Sequence, residues 1–112
     1  MNKILFTSFL SPNILYEYDV TTKTDKALVT LKSKHIFGGV KVSPDKTKLV
    51  YTDQCGFDCD DSGDFSSTTT VIRMLNLQTL KQEDLFSEEG RAQGYKGVNR
   101  WLDNDTVILR PR

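Results

Sequence analysis

The stretch Val42-Ser43-Pro44-Asp45-Lys46-Thr47-Lys48-Leu49-Val50-Tyr51 decides the fold of this chain. Its middle is turn chemistry: Pro presets φ for a turn, and the side chains of Ser and Asp can cap backbone N–H groups. After the turn, Leu49 and Tyr51 alternate with Lys48, Val50 and Thr52. A period of two marks a strand with one face buried. The stretch therefore predicts a strand over residues 39–42, a tight turn, and a second strand over 48–52.

The same period runs outward in both directions. Ile14, Tyr16, Tyr18 and Val20 alternate with Leu15, Glu17 and Asp19, and Val71, Arg73, Leu75 and Leu77 interleave with Ile72, Met74 and Asn76. Ser11-Pro12-Asn13, Thr21 to Asp25 and Asp103-Asn104-Asp105 supply further turns. The expected strands cover residues 4–10, 14–20, 27–31, 39–42, 48–52, 70–77, 84–86, 97–102 and 106–109. Ser87 to Gln93, with Gly90 inside, is read as a loop. The fold class is all-β and antiparallel, with almost no helix.

An internal repeat orders these strands. Leu15 to Thr22 (LYEYDVTT) aligns with Ile72 to Thr79 (IRMLNLQT), and at the same offset Leu28-Val29 falls on Leu85-Phe86. A two-residue slip then places Val42 on Trp101, Pro44-Asp45 on Asp103-Asn104, Thr47 on Thr106, and Leu49-Val50 on Ile108-Leu109. Gly38 meets Gly97. Four elements recur twice in one order.

The Val42 to Tyr51 stretch resembles the signature of TolB-type, WD-like β-propeller repeats: an apolar residue, Ser-Pro-Asp-Gly, basic residues, then an apolar strand. Tyr16-Glu17-Tyr18-Asp19-Val20 resembles the next strand of that repeat, which ends in Asp and an aliphatic residue before a Thr-Gly-type turn. Lys46 stands where Gly is usual, and the second repeat carries Leu102-Asp103-Asn104-Asp105 in place of Ser-Pro-Asp-Gly. The resemblance implies four-stranded propeller-blade repeats making an incomplete propeller of about two blades. Residues 1–112 then form a single domain: one repeat over about 3–52, an acidic insertion over 53–69, and a second repeat over about 70–110. Propellers take 4–8 blades to close, so homo-oligomers or a longer chain would complete the ring, or the strands would form a smaller sandwich. The recurring Gly pairs, Gly38-Gly39 and Gly94 with Gly97, are expected at close strand packing near the propeller axis. Val40, Val42, Leu49, Tyr51, Leu75, Leu77 and Trp101 are expected in the core.

Composition narrows the function. Fifteen Lys and Arg balance fifteen Asp and Glu, so no net field draws nucleic acid or an anionic membrane. No apolar run approaches the roughly 20 residues that span a bilayer. The apolar start from Ile4 to Leu10 lacks a following small-residue cleavage site and is read as a strand, not a signal peptide.

Two features of the insertion carry site chemistry. Asp58-Cys59-Asp60-Asp61-Ser62-Gly63 matches the first half of a calcium loop, with oxygen ligands from Asp58, Asp60 and Ser62, Asp64 nearby, and Gly63 for the sharp turn. Thr69 stands where an EF-hand has its closing Glu. Weak calcium binding and a plain solvated acidic loop are the two readings; no other cofactor is expected. Cys55 and Cys59 are either a small disulfide, which implies an oxidising compartment, or two reduced thiols. His35 is expected in a loop without an acid partner, and no catalytic set is expected. The resemblance implies a non-catalytic protein-interaction or scaffold module, of the kind found in the periplasm or cell envelope. The alternatives are the propeller portion of a larger peptidase-type enzyme, and a glycan or small-ligand binder using Trp101 and the tyrosines.

Overall fold

In the computed structural model, which describes residues 3–56, 69–89 and 95–111, the chain is all-β and antiparallel. Nine strands and no helix occur among these residues: β1 (Lys3–Ser8), β2 (Ser11–Asp19), β3 (Thr24–Thr30), β4 (His35–Val42), β5 (Lys48–Cys55), β6 (Thr69–Asn76), β7 (Gln82–Glu89), β8 (Tyr95–Asp103) and β9 (Thr106–Pro111). They form three meanders in chain order: β1-β2-β3, β4-β5-β6-β7 and β8-β9.

The period of two sorts the middle sheet into two buried faces. Leu49 and Tyr51 of β5 and Leu75 of β6 pack with Leu15, Val29 and Leu31 from the first sheet and the segment after it. Val50 of β5 and Ile72 of β6 point the other way and pack with Val98 of the third sheet. With both faces covered, every residue of β5 from Leu49 to Asp53 is buried. Of the expected core, Leu49, Tyr51 and Leu75 are fully buried, whereas Val40, Val42, Leu77 and Trp101 are only partly so. The Trp101 indole N–H donates to the Lys41 carbonyl at 2.9 Å, tying the third sheet to the second.

Several boundaries differ from expectation, β3 opening at Thr24 inside the expected turn and β4 at His35 among them. The first turn is Phe9-Leu10, not Ser11-Pro12-Asn13. Pro12 lies within β2, where neither β1 nor β3 pairs with it, so its missing N–H breaks no ladder bond. β7 runs on to Glu89, so Ser87 to Glu89 is strand, not loop: Thr69, Thr70 and Val71 pair with Glu89, Glu88 and Ser87. β5 reaches Cys55 and β6 starts at Thr69, so both ends of the expected insertion belong to the sheet. Of the glycine pair, only Gly38 is tightly packed: a Cβ there would stand 2.5 Å from the Gln54 side chain, whereas at Gly39 it would meet nothing within 4 Å.

One half of the repeat, β2–β3 against β6–β7, recurs in backbone detail, whereas β4–β5 and β8–β9 shift register at different places. The β2–β3 register shifts between Leu15 and Tyr16, and the β6–β7 register shifts between Ile72 and Arg73, each 57 positions on. Asp19 Oδ1 accepts the N–H groups of Thr21 and Thr22, as Asn76 Oδ1 accepts those of Gln78 and Thr79. Lys23 N–H donates to the Asp19 carbonyl as Leu80 N–H donates to that of Asn76. Lys23 (φ 59°) and Leu80 (φ 61°) hold the same left-handed backbone. Lys46 of the Ser-Pro-Asp turn shares it at φ 63°, which explains why glycine suits that position. There Asp45 Oδ1 accepts from Ser43 Oγ, Thr47 N–H and Thr47 Oγ1 at 2.7–3.0 Å. These bonds, the Thr47 hydroxyl first, hold the Asp45 carboxyl below its ordinary value.

A side chain in the left-handed region is strained, and glycine relieves it. Leu80 is also 47% exposed. Leu80→Gly is expected to raise stability by about 0.5–1 kcal/mol, read as a higher midpoint in urea at unchanged slope. A lower midpoint would contradict this account of the turn.

Candidate functional site

The face of the middle sheet that meets the first sheet changes character along its length. At the Leu49–Leu75 pair it is apolar. Two residues further along each strand, Tyr51 pairs with Arg73, and beyond them Asp53 pairs with Val71. β4 enters at His35, in register with Cys55, and this brings the imidazole over Asp53. His35 Nδ1 lies 2.6 Å from Asp53 Oδ1, and Arg73 Nη1 donates to Asp53 Oδ2 at 2.5 Å. Arg73 Nε donates to Asp84 Oδ1 of β7 at 2.8 Å. The Tyr51 hydroxyl donates to Gln82 Oε1. His35 and Asp53 are almost fully buried, with side chains 11% and 7% exposed. These groups line a cleft of about 370 Å³, closed on the other side by Val29, Leu31 and Lys32.

The electrostatics follow from this geometry. Burial works against the Arg73 charge, but the hydrogen bonds to Asp53 and Asp84 outweigh it and hold its pKa above the ordinary arginine value. The guanidinium therefore stays charged wherever the protein is folded. Asp53 spends both oxygens on His35 and Arg73. If His35 is neutral, the Asp53 contact places its proton on Nδ1 and leaves Nε2 as an acceptor.

Burial pushes the Tyr51 phenol up. A raised folded pKa means that the contribution to stability is present below the ordinary tyrosine range and is lost as pH rises through the folded value. One of the four tyrosines is therefore expected to ionise at higher pH than the ordinary tyrosine, seen as a late step in absorbance at 295 nm that Tyr51→Phe removes. Four tyrosines titrating together in the ordinary range would contradict it.

This site corrects the reading of His35 as a loop histidine without an acid partner. It opens a strand, and Asp53 is its partner. Asp53 is likewise a buried strand residue and not part of a solvated acidic loop. The expected calcium ligands Asp58, Asp60, Ser62 and Asp64 lie outside the described residues, as does Cys59. Cys55, at the end of β5, is 3% exposed and disulfide-bonded. Arg100 and Trp101 lie on β8, away from this cleft, and Trp101 packs against the second core cluster.

Compared with family models, curated proteins and solved structures, the chain matches none.

Proposed function

We propose that this chain is a propeller-type repeat module of the TolB-like class that holds protein partners and has no catalysis of its own. The observation that carries this reading is the repeat of bulge, cap and left-handed turn residue at a constant 57-residue offset in β2–β3 and β6–β7. A fold that copies a supersecondary unit in such detail is built to stack units side by side. The cell envelope is the compartment this reading favours.

The partner surface is the open edge of β1. Among the described residues β1 pairs only with β2, so the first sheet has three strands where the second has four. Ile4 and Phe6 on β1 are 54% and 36% exposed. Beside them lies a groove of about 450 Å³, walled by Leu5, Leu15, Phe37, Val40 and Val42. Open edges of this kind are templates for an added strand. A second copy supplies that strand, and repetition of the contact gives a ring if the rotation closes.

Hydrogen exchange of β1 at rising protein concentration tests this. Protection over Lys3 to Ser8 is expected to increase from low to high micromolar protein, while β5 stays protected throughout. Protection in β1 that does not change with concentration would overturn the docking surface.

A further inference from the structure

We propose that the cleft beside His35 binds a small organic carboxylate with a short aliphatic body, an activity separate from partner docking at β1. Burying Asp53, Arg73 and His35 carries a desolvation cost that apolar residues at the same positions would avoid. The rest of this sheet face shows that apolar residues fit there, since Leu49 and Leu75 are fully buried one pair away. The polar groups also do not lie in dry core. They line a cleft of about 370 Å³, within the range of small-ligand pockets.

The charge in the cleft selects an anion. Its lining holds two fixed cations, Lys32 and Arg73, and one carboxylate, Asp53. Both Asp53 oxygens are engaged by His35 and Arg73, and Asp84 beside the cleft is engaged by Arg73, so the lining cation left without a paired carboxylate is Lys32. Lys32 has no ion-pair partner among the described residues. Arg73 uses Nε and one Nη1 hydrogen on the two aspartates and also bonds the Tyr51 hydroxyl, and a guanidinium has five N–H donors in all. A ligand carboxylate is therefore held between Lys32 and the remaining Arg73 donors. Val29, Leu31 and Val71 form an apolar wall alongside, which fits a short branched hydrocarbon and gives a bare inorganic anion nothing to contact.

Isovalerate serves as the probe, with isovaleramide as its neutral counterpart and inorganic phosphate as the anion without a hydrocarbon body. Each is titrated into the ¹⁵N-labelled full chain, and backbone signals are followed. Isovalerate is expected to shift Lys32, His35, Val71 and Arg73 saturably, with Kd on the order of 1 mM. Isovaleramide and phosphate are each expected to bind about tenfold more weakly or not at all. Lys32→Gln, at an exposed position that leaves the fold intact, is expected to weaken isovalerate about fivefold with the rest of the spectrum unchanged. No saturable shift at these residues, equal affinity for isovaleramide or phosphate, or unchanged affinity in Lys32→Gln would each overturn the proposal. These outcomes do not depend on whether β1 takes a partner strand.

Discussion

Leu49→Ala is expected to destabilise the fold by about 3–5 kcal/mol, the largest effect of any single truncation considered. Leu49 is fully buried on a strand with sheet neighbours on both sides and covered faces. The first sheet and the middle sheet meet over it, so the cavity cannot be closed by one side chain relaxing. Phe9→Ala, at a turn residue 97% exposed, sets the scale: it is expected to change stability by less than about 0.5 kcal/mol. Urea unfolding of the two variants checks both. A Leu49→Ala cost near that of Phe9→Ala would mean that the first two sheets do not share a core in solution.

Asp53→Ala is expected to cost about 3 kcal/mol, because it leaves His35 and Arg73 facing a cavity without their counter-charge. The loss stays near the lower end of the range for broken buried pairs, since Arg73 keeps Asp84 and its side chain is 25% exposed. Replacing the whole network with His35→Leu, Asp53→Leu and Arg73→Met is expected to recover most of that stability, as buried ion pairs exchanged for apolar groups often do. The triple variant is also expected to lose isovalerate binding. Stability recovered together with lost binding separates a site from a structural strut. A triple variant less stable than Asp53→Ala would make the network a structural device.

Much of the fold was legible in the chain because alternation survives wherever one strand face is covered. Leu49, Tyr51 and Leu75 stood out for that reason, and Ser43-Pro44-Asp45 marked its turn through side chains that cap backbone. Lys23, Lys46 and Leu80 were harder to read, since each occupies a left-handed position without the glycine that would announce it. The end of β7 carried no alternation: Ser87-Glu88-Glu89 continues an outer strand whose partner on one side is β6 and whose other side has none among the described residues. Charged residues are common on such edges, and they look like a loop in sequence.

The cleft was missed for a geometric reason. Counting the antiparallel ladder back from the Val42–Leu49 pair sets Val40 opposite Tyr51, but the register slips by one between Phe37 and Val40. His35 thus comes opposite Cys55, one position from where an unbroken ladder would put it. A bulge at Gly38-Gly39 leaves a hint in sequence, the glycines themselves, but not its size. Asp53 was hidden by its neighbours, because five aspartates between positions 53 and 64 read together as one solvated run.

The central claim is that this repeat module completes itself by pairing along β1. Sedimentation velocity of the purified chain tests it most directly. The account predicts a concentration-dependent shift from 12.7 kDa to a closed species of two to four copies at micromolar protein, abolished by Phe6→Glu on β1. A stable, well-folded monomer across that range would contradict it.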